Sequence, residues 1–304
     1  MIKRIVVTGA TGLVGKQLVH ALTIRNNQVY VVSRSPERIK TILPKAAGAV
    51  SWDDEDELIR QIELCDSVVH LSGENVMSQK WSDEHKKNIF ESRIKTTQRL
   101  VDIISNTPSR PESFICASAI GYYGLGRSGE FTEDSPPGND FLAEVTKSWE
   151  VEAAKVIPAK VRHVSLRIGI VLSTEGGALE RMITPFKFFI GGPLGSGSQW
   201  FPWIHIKDLA ELFVFAINGE HVKGAINAVA PEAINMKDFC KNLGRVMRRP
   251  SLFHVPSAVL KIMYGEAADV ILSGNKIIPQ KTLETGYKFM FENSLDALND
   301  LLKK

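Results

Sequence analysis

The chain has 304 residues, of which 44% are hydrophobic and 23% are charged, so it can bury a large core in one domain or in two lobes. Its net charge is +3 and its basic residues form no long run, which disfavours nucleic acids and anionic membranes as partners. No segment has the roughly 18 to 20 apolar residues of a membrane span, and the amino terminus lacks a signal-peptide pattern, so we predict a cytoplasmic protein.

The first half of the chain alternates short β-branched runs with helical patterns. Helices are predicted over residues 13–25, 36–43 and 82–106 and around Lys147. The main strand candidates are RIVVTG, QVYVVS, DSVVHLSG, SFICASA and VRHVSLRIGIVL. Such alternation predicts an α/β fold with a doubly wound parallel sheet of the Rossmann type, in which ligands bind at the carboxyl ends of the strands.

The pattern becomes irregular after residue 169, with GGPLGSGSQ, WFPWIH and then further helices. This change predicts a smaller carboxyl-terminal α/β lobe that binds substrate. We assign residues 1–168 to the Rossmann domain, to which residues 200–230 return, and residues 169–199 and 231–304 to the substrate lobe. Trp200, Phe201 and Trp203 are then either a lining for an apolar ligand or core between the two lobes.

Three glycines follow the first predicted strand, in the segment TGATGLVG. They precede an amphipathic helix, so backbone amides and the positive end of the helix dipole can reach a pyrophosphate without intervening side chains. Glycines also serve tight turns, but the order of strand, triplet and helix favours a dinucleotide site. The predicted cofactor contacts come from Gly9, Thr11, Gly12, Leu13, Val14 and Gly15.

The end of the second strand bears on the choice of dinucleotide. Where an acidic residue would bind a ribose 2′-hydroxyl, the segment VVSRSPER has Ser33 and Arg34, and a guanidinium suits a 2′-phosphate. The alternative for Arg34 is a solvated loop arginine. We predict NADP, as NADPH, in preference to NAD, with Asp53 near the adenine amino group.

The end of DSVVHLSG continues into a loop that reaches the same edge of the sheet, and the long helix that follows carries an arginine on its apolar face. The predicted cofactor contacts of the loop are Leu71, Ser72, Gly73 and Glu74. Arg93 lies in the middle of the apolar face of the helix, where an unpaired charge would be costly. Arg93 therefore needs a carboxylate, a phosphate or several carbonyls, and a structural salt bridge is the alternative to a role at the site.

Two further segments place polar residues near the predicted ligand edge. Ser118 ends the strand SFICASA, and Tyr122 and Tyr123 follow it. Lys147 lies on the next helix, away from the apolar stripe of Leu142, Val145 and Trp149 and among small apolar residues. It is either an ordinary solvated lysine whose stem covers alanines or a residue of the site.

Other polar residues are predicted to be structural. In WIHIKDLAELF, Asp208 stabilises the start of a helix and His205 packs. Cys65, Cys116 and Cys240 are far apart and lack metal-ligand spacing, which predicts buried thiols and no metal site.

The segments TGATGLVG, HLSG, SASAIGYYG, LRIGIVL and WFPWIHIKDLAE, in this order, resemble the extended, epimerase-like form of the short-chain dehydrogenase/reductase superfamily over essentially the whole chain. LSGENVMSQKWSDEHKKNIFESRIKTT and ILSGNKIIPQKTLETGYKF are similar to an atypical branch of it, the epimerase family proteins. The resemblance implies an NADP-binding epimerase or reductase and supplies no substrate.

By this resemblance the catalytic serine is Ser118, and the lysine that holds the nicotinamide ribose is Lys147. Ala143 stands where the tyrosine that donates or accepts the proton is expected, and Arg93 replaces an asparagine of the preceding helix. The candidates for a substitute acid or base are Tyr123, Tyr122, Glu74, Glu144 and His205. We favour Tyr123, because a nearby Arg93 or Lys147 would lower its pKa; packing against substrate is the alternative.

Two functions stay open. The first is an NADPH-dependent oxidoreductase or epimerase acting on a small carbonyl or hydroxyl substrate, with Ser118, Lys147, Tyr123 and Arg93 as catalytic residues. The second is a non-catalytic NADPH-binding sensor or regulatory protein, which the missing tyrosine favours. A homodimer through the Lys147 helix and the long helix before it is compatible with the apolar stripe, and so is a stripe that is simply core.

Overall fold

The computed structural model describes residues 2–303 and contains one large and two small parallel sheets surrounded by helices. The strands are β1 (Arg4–Thr8), β2 (Gln28–Ser33), β3 (Gly48–Ser51), β4 (Ser67–His70), β5 (Ser113–Ala119), β6 (Glu130–Phe131), β7 (Arg162–Ile168), β8 (Ile170–Leu172), β9 (Trp203–His205), β10 (Gly224–Ala228) and β11 (Lys276–Ile277). The α-helices are α1 (Leu13–Thr23), α2 (Ile39–Ile42), α3 (Glu55–Glu63), α4 (Asp83–Asn106), α5 (Phe141–Ala153), α6 (Gly177–Lys187), α7 (Ile206–Asn218), α8 (Met236–Met247), α9 (Ser257–Tyr264), α10 (Ala268–Leu272), α11 (Gln280–Glu284) and α12 (Ser294–Leu302).

Four short 3₁₀ turns complete the described secondary structure. They cover Pro36–Arg38, Ile120–Tyr123, Ala154–Ala159 and Gly265–Ala267.

The large sheet has seven strands in the order β10-β7-β5-β4-β1-β2-β3, all paired in parallel. Because the strands are parallel, their carboxyl ends share one edge, and the chain changes direction across the sheet between β1 and β4. That switch point is where ligands bind in open α/β sheets. The predicted doubly wound α/β Rossmann fold is confirmed.

Most predicted elements are found, with one strand divided. Helix α1 ends at Thr23, and the predicted helix over 36–43 is a 3₁₀ turn followed by α2. The run VRHVSLRIGIVL is two strands divided at Gly169, where a Cβ would lie 2.6 Å from the carbonyl oxygen of Pro202 and 2.7 Å from Val229 Cγ1. The Gly169 N–H still donates to the Ala228 carbonyl, whereas the Ile170 N–H donates to the Pro202 carbonyl at 2.8 Å. The chain turns there, so β7 stays in the large sheet while β8 pairs with β9.

Two main apolar cores support these layers. The first lies on the large sheet and includes buried residues of β1, β4, β5, α1 and α7. The second lies among α6, α8 and α12 and includes Phe201 and Trp203. Strand β10 belongs to the large sheet, while the predicted domain limits at residues 168 and 199 stay a prediction.

The start of α7 has Asp208 in its first turn, as predicted, together with contacts that the sequence did not show. His205 caps the helix, its Nδ1 accepting a hydrogen bond of 3.1 Å from the Lys207 N–H. Asp208, fully buried in the first turn, accepts instead from the Met290 N–H at 2.7 Å and the Phe291 N–H at 3.0 Å. Asp208 therefore fixes the carboxyl-terminal segment against α7.

Candidate functional site

The turn between β1 and α1 requires glycine at two positions. Gly9 has a φ of +68°, and a Cβ there would lie 2.7 Å from the carbonyl carbon of Leu71. A Cβ on Gly15 would lie 2.4 Å from the carbonyl oxygen of Gly9. Helix α1 is preceded by Gly12, which has no side chain to cap it, so the N–H groups of the first turn are available to an anion.

The residues predicted to select the dinucleotide lie at the same edge. Ser33 ends β2 and pairs in register with Ser51 of β3. Arg34 follows directly and is exposed, and no carboxylate among residues 2–303 lies within salt-bridge distance of it. Asp53 is also exposed, its N–H donating to Ser51 Oγ at 3.1 Å. A phosphate can therefore reach Arg34 without displacing an ion-pair partner.

The loop over residues 71–74 is anchored by a buried histidine that the sequence analysis missed. His70 Nδ1 lies 2.7 Å from Thr8 Oγ1, and its Nε2 lies 3.3 Å from Thr96 Oγ1 on α4. Burial, with the nearby charge of Arg93, lowers the pKa of His70 to about 3. The ring is therefore neutral at pH 7 and joins β1, β4 and α4 just below the loop.

This histidine predicts a loss of stability in acid. Its folded pKa of about 3 lies below the unfolded value of 6.5, so the unfolded chain binds the proton more tightly. The contribution of neutral His70 to the free energy of unfolding is complete above the unfolded pKa and is lost as the pH falls toward the folded pKa. At about pH 5 the loss is about 2 kcal/mol.

We expect urea unfolding to give a lower free energy at pH 5 than at pH 7.5, and His70→Gln to flatten the difference by about that amount. The exposed His20, changed to Gln, is the control and should leave the pH dependence intact. An unchanged slope in His70→Gln would contradict the assignment.

Arg93 lies under the 71–74 loop without a carboxylate partner. Its Nη1 donates to the Ile89 carbonyl of its own helix at 2.9 Å, and its Cζ lies 5.2 Å from the centre of the Trp149 ring. A Cβ on Gly73 would lie 3.1 Å from the same Cζ, so the guanidinium packs closely against this glycine. Burial lowers the pKa of Arg93 to about 10, although the charge of Glu74 opposes this. The structural salt bridge weighed above is not found among residues 2–303.

Helix α5 carries both Lys147 and Ala143, which occupies the position of the expected tyrosine one turn earlier. Asp140 caps the helix by accepting from the Ala143 N–H at 3.0 Å, and Ala143 is fully buried. Lys147 and Glu144 are exposed. The stripe of Leu142, Val145 and Trp149 is buried within the chain. The stripe therefore gives the predicted homodimer no free surface, and the homodimer stays a prediction.

Ser118 is held by an ion pair that sequence reasoning missed. Its Oγ donates to Glu150 Oε1 at 2.6 Å. Glu150 accepts two further bonds of 2.8 Å from the Nε and Nη2 of Arg167, whose side chain is only 4% exposed. The hydrogen bond to Glu150 fixes the Ser118 rotamer and uses the only hydrogen that the hydroxyl can donate.

Tyr123 belongs to the same network, and its pKa is shifted in the direction opposite to the prediction. Its side chain is fully buried; the hydroxyl donates to Asn227 Oδ1 at 2.6 Å and accepts from Arg167 Nη1 at 3.0 Å. Burial raises the pKa of Tyr123 to about 12 despite the attraction of Arg167. The expectation that Arg93 or Lys147 lowers this pKa is wrong, because Arg167 is the neighbouring cation and desolvation dominates.

The comparisons with known proteins agree with this architecture. The sequence profile of the NAD dependent epimerase/dehydratase family matches residues 5–229. The chain belongs to this family. A second profile, a domain of unknown function (DUF1731), matches residues 255–301.

Two individual relatives span nearly the full length of this family member. The epimerase family protein SDR39U1 homolog, chloroplastic, of Arabidopsis thaliana is 42% identical over 98% of this chain and 86% of its own. The human epimerase family protein SDR39U1 is 36% identical over 98% of this chain and 99% of its own. The crystal structure of the human protein with NADPH has a TM-score of 0.88 at 35% identity and covers 98% of both chains.

Within this family fold, two of the candidates for an acid or base pack against other side chains. His205 is buried against Phe291, with 4.0 Å between ring centres, its Nε2 is 3.2 Å from Asp300 Oδ2, and burial lowers its pKa to about 4. Tyr122 packs on Arg167, whose Cζ lies 3.4 Å from the ring centre. The three cysteines are buried free thiols, as predicted. No helix within residues 2–303 is long and apolar enough to cross a membrane.

The network around Tyr123 also reaches the segment beyond the family profile. Glu133 is buried and accepts from the N–H of Asn227 at 2.9 Å and from the N–H of Lys281 at 3.1 Å. Asn227 Nδ2 donates to the Ile278 carbonyl at 2.9 Å. Local periodicity could not reveal these residues, because their partners lie far along the chain.

Proposed function

We propose that this chain binds NADPH at the carboxyl edge of the large sheet and uses it in an oxidoreductase or epimerase reaction on a small carbonyl or hydroxyl substrate. The observation that carries the proposal is the turn between β1 and α1, where a Cβ on Gly15 would lie 2.4 Å from the Gly9 oxygen. The turn brings the amides of α1 to the ligand edge. The human relative crystallised with NADPH supports the same choice.

The residues around the turn fit a dinucleotide with a 2′-phosphate. Arg34 is exposed beside the end of β2, where a guanidinium can bind that phosphate and an acidic residue would repel it. Leu71, Ser72, Gly73 and Glu74 border the site from β4, and Asp53 borders it from β3. Lys147 is exposed on α5, where the family resemblance assigns it to the nicotinamide ribose.

Ser118 and Arg93 are the polar groups proposed to act on the substrate. The nicotinamide supplies or accepts the hydride. The Ser118 proton is committed to Glu150, so the oxygen accepts a hydrogen bond from a substrate hydroxyl more readily than it donates one to a carbonyl. Arg93 has no carboxylate within salt-bridge distance among residues 2–303, although the charge of Glu74 acts on it, and it can bind an anionic or oxygen-bearing group of cofactor or substrate.

A second candidate function is an NADPH-binding sensor or regulatory protein without turnover. It is favoured by Ala143 in place of the tyrosine and by a Tyr123 pKa of about 12, which leaves this phenol a poor proton acceptor at neutral pH. The retained Ser118 and Lys147 favour the enzyme.

The cofactor proposal is tested by titrating the protein with NADPH and NADH in a calorimeter. The wild type is expected to prefer NADPH, and Arg34→Asp to lose about ten-fold or more of NADPH affinity while NADH affinity is kept. Arg60→Ala, an exposed arginine on α3, is the control and should change neither value. Equal affinity for both dinucleotides in the wild type would refute the selection by Arg34.

Turnover then separates the two candidates. Cofactor oxidation is followed across a panel of aldehydes, ketones and quinones, with Ser118→Ala and Lys147→Ala beside the wild type. Turnover that falls in both variants supports the enzyme. NADPH binding without turnover on any compound, unaltered in both variants, supports the sensor.

A further inference from the structure

Two separate chain segments expose five large apolar side chains at one place on the carboxyl-terminal side of the molecule. The exposed fractions are Phe188 71%, Phe189 53%, Ile190 55%, Leu252 80% and Phe253 54%. Monomeric proteins rarely leave such a cluster in water without a use for it. Together with Lys187, Arg248 and Arg249, these residues are called the basic apolar surface below.

The two segments are joined by specific contacts. The Phe253 N–H donates to the Gly191 carbonyl at 3.2 Å, and the Cζ of Arg249 lies 4.3 Å from the centre of the Phe189 ring. A Cβ on Gly192 would lie 2.1 Å from the Phe253 oxygen, so the backbones are in close contact. Phe189 has a φ of +63°, a conformation that a bulky residue rarely adopts. The fold therefore holds these side chains outward in a fixed arrangement.

The charged residues of the basic apolar surface are cations: Lys187 directly precedes Phe188, and the Arg249 guanidinium lies over the Phe189 ring. Residues 181–193 and 239–265 contain seven Lys and Arg residues and no Asp or Glu. The chain as a whole has a net charge of only +3, so the remaining residues are net negative. Folding brings Arg249, with its neighbour Arg248, to the segment over residues 188–190, which is distant in sequence.

We propose that the basic apolar surface docks on an anionic lipid bilayer. Exposed Phe, Leu and Ile side chains beside Lys and Arg have the composition of an interfacial membrane anchor, in which apolar tips enter the headgroup region and cations meet lipid phosphates. A second copy of the chain fits less well, because a two-fold contact would bring like charges together. A nucleic acid would leave the aliphatic tips unused. The inference is independent of the proposed cofactor chemistry.

The test is co-sedimentation of the full chain with phosphatidylcholine vesicles that contain or lack phosphatidylserine. Binding is expected only with phosphatidylserine and is expected to weaken in high salt. Phe188→Ser with Leu252→Ser, and separately Arg248→Gln with Arg249→Gln, should each weaken partitioning by about ten-fold or more. Ile157→Ser, an exposed apolar site elsewhere, is the control and should bind like the wild type.

Urea midpoints close to the wild-type value establish that each variant is folded. The proposal is overturned if no vesicle binding occurs at any lipid concentration, or if both double variants bind as the wild type does. It is also overturned if sedimentation velocity finds a dimer that Phe188→Ser with Leu252→Ser dissociates, since the surface is then covered by a second copy.

Discussion

Replacing Glu150 by Gln is expected to lower the free energy of unfolding by about 3 to 5 kcal/mol, measured by urea denaturation at neutral pH. The carboxylate is the only anion within salt-bridge distance of Arg167 among the described residues, and the Arg167 side chain is almost completely buried. Without it, the guanidinium keeps only neutral acceptors, including the Glu133 carbonyl, and its charge is uncompensated.

The double variant Glu150→Leu with Arg167→Met is the matched test of this interpretation. Removing both charges together is expected to give a more stable protein than Glu150→Gln alone. Glu112→Gln, which breaks an exposed pair with Lys3, is the control and should cost about 1 kcal/mol or less. A loss of that small size in Glu150→Gln would contradict the assigned role of the buried pair.

Replacing Gly15 by Val is expected to reduce NADPH affinity by about a hundred-fold or more, measured by fluorescence titration. A Cβ at this position would lie 2.4 Å from the Gly9 oxygen and 2.6 Å from the Ala10 Cα, so helix α1 must move away from the turn. The amides that approach the pyrophosphate move with it. Gly15→Ala should show the same effect in weaker form.

His20→Val is the control for this series. It introduces the same branched residue on the exposed side of α1, away from the turn. Affinity should then stay within about two-fold of the wild type, because the first turn is untouched. An unchanged affinity in Gly15→Val would mean that the cofactor is not bound at this turn.

Local sequence signals were enough for most strands and helices of the first half of the chain, although α3 was missed. The long helix was predicted over residues 82–106, and the Ser82 Oγ caps it by accepting from the His85 N–H at 3.1 Å. The division of one strand at Gly169 could not be foreseen, because it depends on contacts with Pro202 and Val229, which lie far along the chain. Short-range patterns report local conformation, whereas close packing between distant segments leaves no periodic trace.

The site was predictable where the backbone itself forms it and obscure where distant side chains do. Glycines at a turn are visible in sequence, but Glu150 reads as an ordinary polar residue on an amphipathic helix. Its role follows from Arg167, which arrives from β7. The same holds for Tyr123, whose pKa is raised by burial that only the folded chain creates. Sequence reasoning identified Ser118 but not Glu150, the carboxylate that fixes its rotamer.

The buried carboxylate of Asp208 ties the carboxyl-terminal segment of the chain to α7. The carboxylate accepts from the backbone N–H groups of residues 290 and 291. The Tyr287 hydroxyl donates to the backbone carbonyl of Asp208 at 2.8 Å. Deleting residues 255–301, the segment matched by the second family profile, would leave the buried Asp208 carboxylate without its hydrogen-bond donors and would expose the second core. The segment over residues 255–301 is therefore part of the same folding unit as α7, and its removal is expected to destabilise the whole chain.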